Sequence, residues 1–217
     1  MTDLVVGLGE IGRPLFELLR DRNFKVEGFD PNIPEFSDPK FNNDYDMIHI
    51  CIPFSEKFEI HAREYCGMSK NIVIHSTVMP GTSKHLGFSY SPIRGIHNNM
   101  YEHLKWFQKY YAGDIPEIEF SKRFPNYVKV DDTTKLERTK VVATSYVGVI
   151  YAFRKYIDSN YPVYWHFSNE LHQMFGNQPV VYNDNKPIGG HCIIPNLDLL
   201  GDKLISDFVK KWGVDNA

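Results

Sequence analysis

The stretch Leu4-Val5-Val6-Gly7-Leu8-Gly9-Glu10-Ile11-Gly12 constrains the fold more than any other part of the sequence. A short apolar run feeds directly into Gly-x-Gly-x-x-Gly, and the segment behind it carries Leu15, Phe16, Leu18 and Leu19 at helical spacing. Phe24 to Phe29 then alternates as a strand and ends in Asp30. Strand, glycine turn, helix and strand form the context in which such a pattern binds a dinucleotide. Gly7 allows the tight turn out of the strand, Gly9 lets a pyrophosphate approach the backbone, and Gly12 lets the helix pack close to the sheet. Glu10 and Ile11 complete the turn, at the positive end of the helix where backbone N–H groups point at phosphates. Asp30 stands eighteen residues after Gly12, where a carboxylate accepts ribose hydroxyls and repels a 2′-phosphate. The expected cofactor is therefore NAD.

The next segments continue the alternation of strands and helices. Asp46 to Pro53 reads as a buried strand stopped by Pro53, with Cys51 inside it as a small core hydrophobe. Asn71 to His75 is another strand. It runs into Ser76-Thr77-Val78-Met79-Pro80-Gly81-Thr82, a turn rich in hydroxyls and backbone donors. In open α/β sheets the ligand crevice lies at the carboxyl ends of strands, which places Pro53, Ser76 and Thr77 at the cofactor. Phe88 to Pro92, Trp106 to Ala112 and Tyr127 to Val130 read as further strands, and Ile115 to Phe124 has a loose helical pattern. From Thr134 to Ile157 a long amphipathic helix places Val142, Tyr146, Val149, Ile150, Phe153 and Ile157 on one face. Asp131, Asp132, Thr133 and Thr134 supply its capping groups. Pro162, Pro179 and Pro187 divide the remainder into short helices and loops. The expected fold is α/β: a Rossmann-type, mostly parallel sheet over residues 1–130, then a smaller all-helical domain over 131–217 with a long central helix.

Composition closes off other classes. The 217 residues carry a net charge of −3 with acids and bases mixed, so no basic surface for nucleic acid is expected. No apolar run approaches the length of a membrane helix, and no basic leader precedes the first strand. Cys51, Cys66 and Cys192 are an odd number at scattered positions, which argues for a reducing compartment and a cytoplasmic location. No cysteine or histidine spacing suits a metal site.

These motifs together resemble those of the nucleotide-sugar 6-dehydrogenases, the UDP-glucose/GDP-mannose dehydrogenase family. The resemblance covers the N-terminal and central parts of such enzymes. It rests, in order, on Gly7–Gly12, Asp30, Ile50-Cys51-Ile52-Pro53, the 76–82 turn, Ser91-Pro92-Ile93-Arg94, and Gly189-Gly190-His191-Cys192-Ile193. Glu137-Arg138-Thr139-Lys140 matches the family's Glu-x-x-Lys. The resemblance implies oxidation of an alcohol to a carboxylate in two hydride transfers to NAD. Cys192 would be the thiol nucleophile, Lys140 would polarise the alkoxide, Thr77 would help place water, and Thr144 would stand in for the family's asparagine. It also implies a homodimer paired through the long helix. Ile93 stands where the family has glutamate, and Asn196 where it has aspartate. The family's C-terminal nucleotide-binding domain has no counterpart here, so a separate chain supplying it is one expectation. Two alternatives stay open. One is a two-electron dehydrogenase of the 3-hydroxyacid or 6-phosphogluconate type, with Cys192 dispensable and Arg94 facing an anionic substrate. The other is an NAD-binding module without catalysis.

Overall fold

The computed structural model describes residues 2–38, 41, 44–160 and 193–213. Within the first 140 residues seven strands form one sheet in the order β2-β1-β3-β4-β5-β6-β7. β1 (Thr2–Val6), β2 (Lys25–Phe29), β3 (Met47–Ile50), β4 (Ile72–Ile74) and β5 (Ser89–Tyr90) run parallel. β6 (Lys109–Ala112) reverses against β5 through one register pair, Tyr90 with Ala112, and β7 (Tyr127–Val130) runs parallel to β6. The chain leaves β1 for β2 on one side and β3 on the other, so the switch point lies between β1 and β3.

Both faces of the sheet are covered, which is why its strands read as near-continuous apolar runs. Leu4, Val6, Ile48, Ile50, Ile72 and Ile74 face α2 (Phe58–Arg63), α3 (Thr82–Leu86) and Leu136. Val5, Met47, Cys51, Val73 and Tyr111 face α1 (Gly12–Asp21), α4 (Met100–Trp106) and α5 (Glu117–Arg123). α1 ends where Asn23 adopts a φ of 64°, the left-handed turn that asparagine tolerates best among non-glycine residues. α4 occupies the start of the segment whose pattern suggested a strand from Trp106. The helix ends at Trp106, Phe107 turns extended, and the strand begins only at Lys109.

The long helix, α6 (Thr133–Asn160), has 28 residues and starts on Asp132, whose Oδ1 accepts the N–H of Lys135 at 2.6 Å. The chain divides into two compact units, 1–140 and 141–217, so α6 belongs in part to each. In the second unit the described residues are helical. They comprise the rest of α6, α7 (Ile193–Leu200) and α8 (Lys203–Gly213), with Ala152, Leu197 and Val209 at their core. The apolar face expected on α6 is only partly its buried side: Val149 packs against this core and Ile150 is half-buried. Val141, Ser145 and Ala152 are buried, whereas Val142, Tyr146 and Phe153 are 54%, 65% and 52% exposed. Among the described residues no helix is long and apolar enough to cross a membrane.

Candidate functional site

The glycine turn sits at the carboxyl end of β1, and each glycine has a separate geometric reason. Gly7 has a φ of +84°, and a Cβ there would stand 3.0 Å from the Cys51 carbonyl and the Ile52 nitrogen. Its N–H donates to the Phe29 carbonyl at 2.7 Å, joining the turn to β2. A Cβ on Gly12 would fall 1.8 Å from the Gly7 oxygen, so the first turn of α1 lies directly on the end of β1. Gly9 is different. It is exposed, and a Cβ there would meet nothing within 4 Å. Among the described residues the backbone N–H groups of Gly9, Ile11 and Gly12 have no acceptor, and the first turn of α1 has no acidic side chain. Open space beside unpaired donors at a positive helix end suits a bound phosphate group.

The rim of this space is built from the ends of three more strands. Asp30, after β2, accepts the N–H of Leu8 on Oδ2 and that of Asn32 on Oδ1, both at 2.9 Å. The two bonds fix the carboxylate, and each oxygen keeps a lone pair for a further donor. Ser76, after β4, donates its hydroxyl to the Ile52 carbonyl at 2.5 Å, which pins the exit of β3 before the exposed Pro53. Thr77 follows, half-buried. The structure thus gathers Gly7, Gly9, Glu10, Ile11, Gly12, Asp30, Pro53, Ser76 and Thr77 at the carboxyl ends of β1 to β4.

Helix α6 is tied to the same end of the sheet by a carboxylate. Glu137 is fully buried, and it accepts the N–H of Gly81 at 2.5 Å and that of Ser83 at 2.8 Å. These are orphan donors at the start of α3, so Glu137 caps that helix from a distance of 54 residues along the chain. Burial pushes its carboxyl pKa up, against the two N–H donors that pull it down. Lys140 lies one turn further along α6 and Thr144 a turn beyond that, both half-buried. Glu137 had a place in the sequence motif but no role. Its signal was a carboxylate three positions before the candidate lysine.

Other expected positions fall elsewhere. Cys192 and the preceding Gly189, Gly190 and His191 lie outside the described residues. Ile93 is buried among Leu15, Met100 and Leu104, so the position of the family's glutamate is a core position here. Cys51 is buried too, and desolvation pushes its thiol up to about 12, which leaves it inert at neutral pH. Among the described residues no cluster of ligands suits a metal ion.

A buried polar chain on the α1/α4/α5 side of the sheet joins residues that no sequence motif links. Arg123 holds Asp3 with two bonds, Nε to Oδ2 at 2.7 Å and Nη2 to Oδ1 at 2.6 Å. His49 Nε2 lies 3.4 Å from Asp3 Oδ2, and His49 Nδ1 lies 2.9 Å from His75 Nε2. His75 Nδ1 lies 2.6 Å from the Ser91 carbonyl and 3.2 Å from Lys109 Nζ. Lys109 Nζ also donates to the carbonyls of Ser91 at 2.6 Å and Pro92 at 2.9 Å. Burial drives the pKa values of Lys109, His75 and His49 down. A visible sign was His49 and His75 interrupting otherwise apolar strands.

No family model matches the sequence, and no curated protein matches it in sequence. The fold has clear neighbours. UDP-D-ManNAc dehydrogenase from Pyrococcus horikoshii superposes with a TM-score of 0.78 at 17% identity, over 98% of this chain and 68% of that one. A 3-hydroxyisobutyrate dehydrogenase from Mycobacterium tuberculosis, solved with L-serine, gives 0.72 at 12% identity, over 99% and 96%. Psf3 in complex with NADP+ and 2-OPP gives 0.70 at 13% identity, over 96% and 92%. The chain thus spans about two thirds of the nucleotide-sugar enzyme and nearly all of the 3-hydroxyisobutyrate enzyme. At these identities the likeness is one of fold: the nucleotide-sugar dehydrogenases resembled in motif are neighbours in architecture, with a Rossmann-like sheet followed by helices.

Proposed function

We propose that this chain is an NAD-dependent dehydrogenase that oxidises a hydroxyl group of a small substrate such as a sugar derivative. The glycine turn carries this reading: Gly7 and Gly12 are in contact with neighbouring backbone, while Gly9 faces open space beside unpaired N–H groups. The N–H groups of Gly9, Ile11 and Gly12 would hold the pyrophosphate, and Asp30 the ribose hydroxyls. The Asp30 carboxylate opposes a 2′-phosphate, which favours NAD over NADP. Bound there, the dinucleotide would supply the hydride acceptor.

The chain's own residues would do the rest. The Lys140 ammonium would stabilise the oxyanion as the hydroxyl loses its proton. Thr77 and Thr144 would orient the hydroxyl or a water. Cys192 is the candidate nucleophile for an aldehyde product. Its thiolate would add to the carbonyl carbon, and the oxygen would take a proton to give a thiohemiacetal. With Ile93 buried where a carboxylate would assist acyl hydrolysis, the reading is of one hydride transfer per substrate.

The alternative hydroxyacid type has its own support in the near-complete match to 3-hydroxyisobutyrate dehydrogenase, 96% of that chain. The test is NADH formation from NAD with nucleotide sugars, free sugars and hydroxy acids, run beside Cys192→Ser. Turnover lost in the variant supports the thiol route, and turnover that survives moves the assignment to the hydroxyacid type. Bound NAD with no turnover on any substrate would sink both and leave a binding module, or one chain of a two-chain enzyme. Homodimerisation belongs to the proposal, supported by the outward Val142, Tyr146 and Phe153 along α6.

A further inference from the structure

At the end of the sheet remote from the glycine turn, a cavity of about 170 Å³ opens where β4 and β5 begin. Its apolar floor is Ile72, Phe88 and Ile115, all buried. Lys70, just before β4, and Asp114, just after β6, line it from either side of the start of β5. Two turns keep the mouth open. Gly67 and Gly87 have φ values of +87° and +71°, and a Cβ on either would meet nothing within 4 Å. A third turn closes the side. Gly113 has a φ of +112°, and a Cβ there would stand 2.5 Å from Ser89 Oγ. Glycine alone lets the chain leave β6 this tightly across the start of β5 and set Asp114 at the cavity.

The polar groups around this cavity are of both signs and are not spent on one another. Among the described residues the Lys70 ammonium and the Asp114 carboxylate form no hydrogen bond and no ion pair. The backbone N–H groups of Gly67, Ser69 and Lys70 have no acceptor among them either. Ser89 is 4% exposed, and its Oγ accepts the Ile115 N–H at 3.2 Å. Its own hydroxyl proton has no acceptor among the described residues, and a donor sealed from bulk water is costly to leave unmade. An ammonium and N–H donors on one side, a carboxylate on the other and an apolar floor between them match a molecule that carries both charges at once. The volume limits its size. Drug-sized ligands occupy cavities of about 300–1,000 Å³, so this one suits a ligand of only a few heavy atoms. We propose that the cavity binds a small α-amino acid as its zwitterion, the carboxylate on Lys70 and the N–H groups beside it, the ammonium on Asp114. The site goes beyond the dehydrogenase reading and does not depend on it. Because Lys70 precedes β4 and Asp114 follows β6, the ligand spans β5, which shares one register pair with β6. Occupancy therefore ties β6, α5 and β7 to the parallel strands.

The test titrates the full 15N-labelled chain with L-alanine, followed by amide proton–nitrogen correlation. Saturable shifts should appear at Gly67, Ser89 and Ile115, with a dissociation constant on the order of millimolar or tighter. Acetate and methylammonium each carry one of the two charges and should bind at least about tenfold more weakly. Lys70 and Asp114 are exposed, so Lys70→Gln and Asp114→Asn should keep the melting temperature within about 2 °C. Each should weaken alanine binding about tenfold, the loss of one hydrogen bond to a charged group. Cys66, an exposed thiol at the cavity, serves as a reporter, and its alkylation, mapped by peptide mass spectrometry, should slow when alanine is bound. No shift at millimolar alanine, shifts confined to the glycine turn of β1, acetate binding as well as alanine, or affinity indifferent to both variants would each overturn the site. Amide exchange in β6, α5 and β7 should slow with alanine present, and exchange that does not change would overturn the tie across β5. No readout involves NAD or turnover, so a failure here and a failure of the dehydrogenase reading are told apart.

Discussion

Gly9→Ala and Gly12→Ala separate a ligand site from a folding constraint, although the two residues lie three positions apart. At Gly12 the added Cβ would stand 1.8 Å from the Gly7 oxygen, about 1.6 Å inside ordinary contact, with the Cys51 Cβ at 3.0 Å. The obstacle is backbone, so α1 must lift off the end of β1. Overpacking of a close-packed interior costs about 1–3 kcal/mol, and a backbone clash belongs at or above the upper end. For a chain of this size each kcal/mol moves the melting temperature by about 2–4 °C, so Gly12→Ala should lower it by about 6–12 °C. At Gly9 the Cβ meets nothing and the backbone is outside the left-handed region. An open surface substitution stays within about 0.5 kcal/mol, and the melting temperature should hold within about 2 °C. The same methyl would occupy the space proposed for the pyrophosphate, so NAD should bind at least about tenfold more weakly, a loss of about 1.4 kcal/mol. Circular dichroism melts and calorimetric titration with NAD read the two effects. If Gly9→Ala binds NAD like the parent chain, no pyrophosphate lies against this backbone and the cofactor assignment fails. If Gly12→Ala melts unchanged, the close approach of α1 to β1 is wrong.

Further outcomes follow from the site. Glu137→Ala strips the acceptor from two buried N–H groups at about 1–3 kcal/mol each. Relief of a buried carboxylate offsets part of that, for a net loss of about 2–4 kcal/mol and a melting temperature lower by about 4–16 °C; a shift under 2 °C would refute the capping role. Because burial raises the folded pKa of Glu137, the folded state binds the proton more tightly. Its contribution is therefore full below the ordinary glutamate value and lost as pH rises through the raised one, so the alanine variant should be less sensitive over that window in pH-dependent melts. Asp30→Ser should bring NADP binding closer to NAD binding, and an NAD preference as strong as that of the parent chain would remove Asp30 from ribose recognition. Phe153→Glu together with Tyr146→Glu should give a monomer in light scattering after gel filtration. A monomeric parent chain would remove the homodimer from the proposal.

The parts of the fold that were legible in the sequence are those written locally. The β1–α1–β2 unit shows itself because glycine positions, helical spacing and Asp30 all lie within thirty residues. The strands ending at Pro53 and His75, and the cap of α6, are equally local. What stayed hidden depends on residues that meet only in space. Asp3, His49, His75, Lys109 and Arg123 come from three strands, the end of a fourth and a helix, and no spacing joins them. The tie from Glu137 to Gly81 and Ser83 is of the same kind. The start of β6 was misplaced because Tyr101, Trp106 and Phe107 have aromatic, strand-like character, while tertiary packing of Met100 and Leu104 commits the segment to a helix. Likewise, apolar spacing on α6 suggested one buried face, yet Val142, Tyr146 and Phe153 of that face point outward while Val149 packs inward.

The reversal of direction between β5 and β6 has a consequence for the order in which the molecule comes apart. A two-residue strand joined by one register pair offers few ladder bonds. Side chains do the stitching instead: the Ser91 hydroxyl donates to the Tyr110 carbonyl at 2.7 Å, Ser89 Oγ accepts the Ile115 N–H at 3.2 Å, and Lys109 binds the carbonyls beyond β5. β6, α5 and β7 therefore form a unit that can open as a block, held by a seam of individual bonds and by the Arg123–Asp3 pair rather than by a continuous ladder. Amide exchange should release that block before β1, β3 and β4 lose a proton. Unfolding would then begin on the side of the sheet away from the glycine turn, so the turn would keep its shape while the far edge breathes.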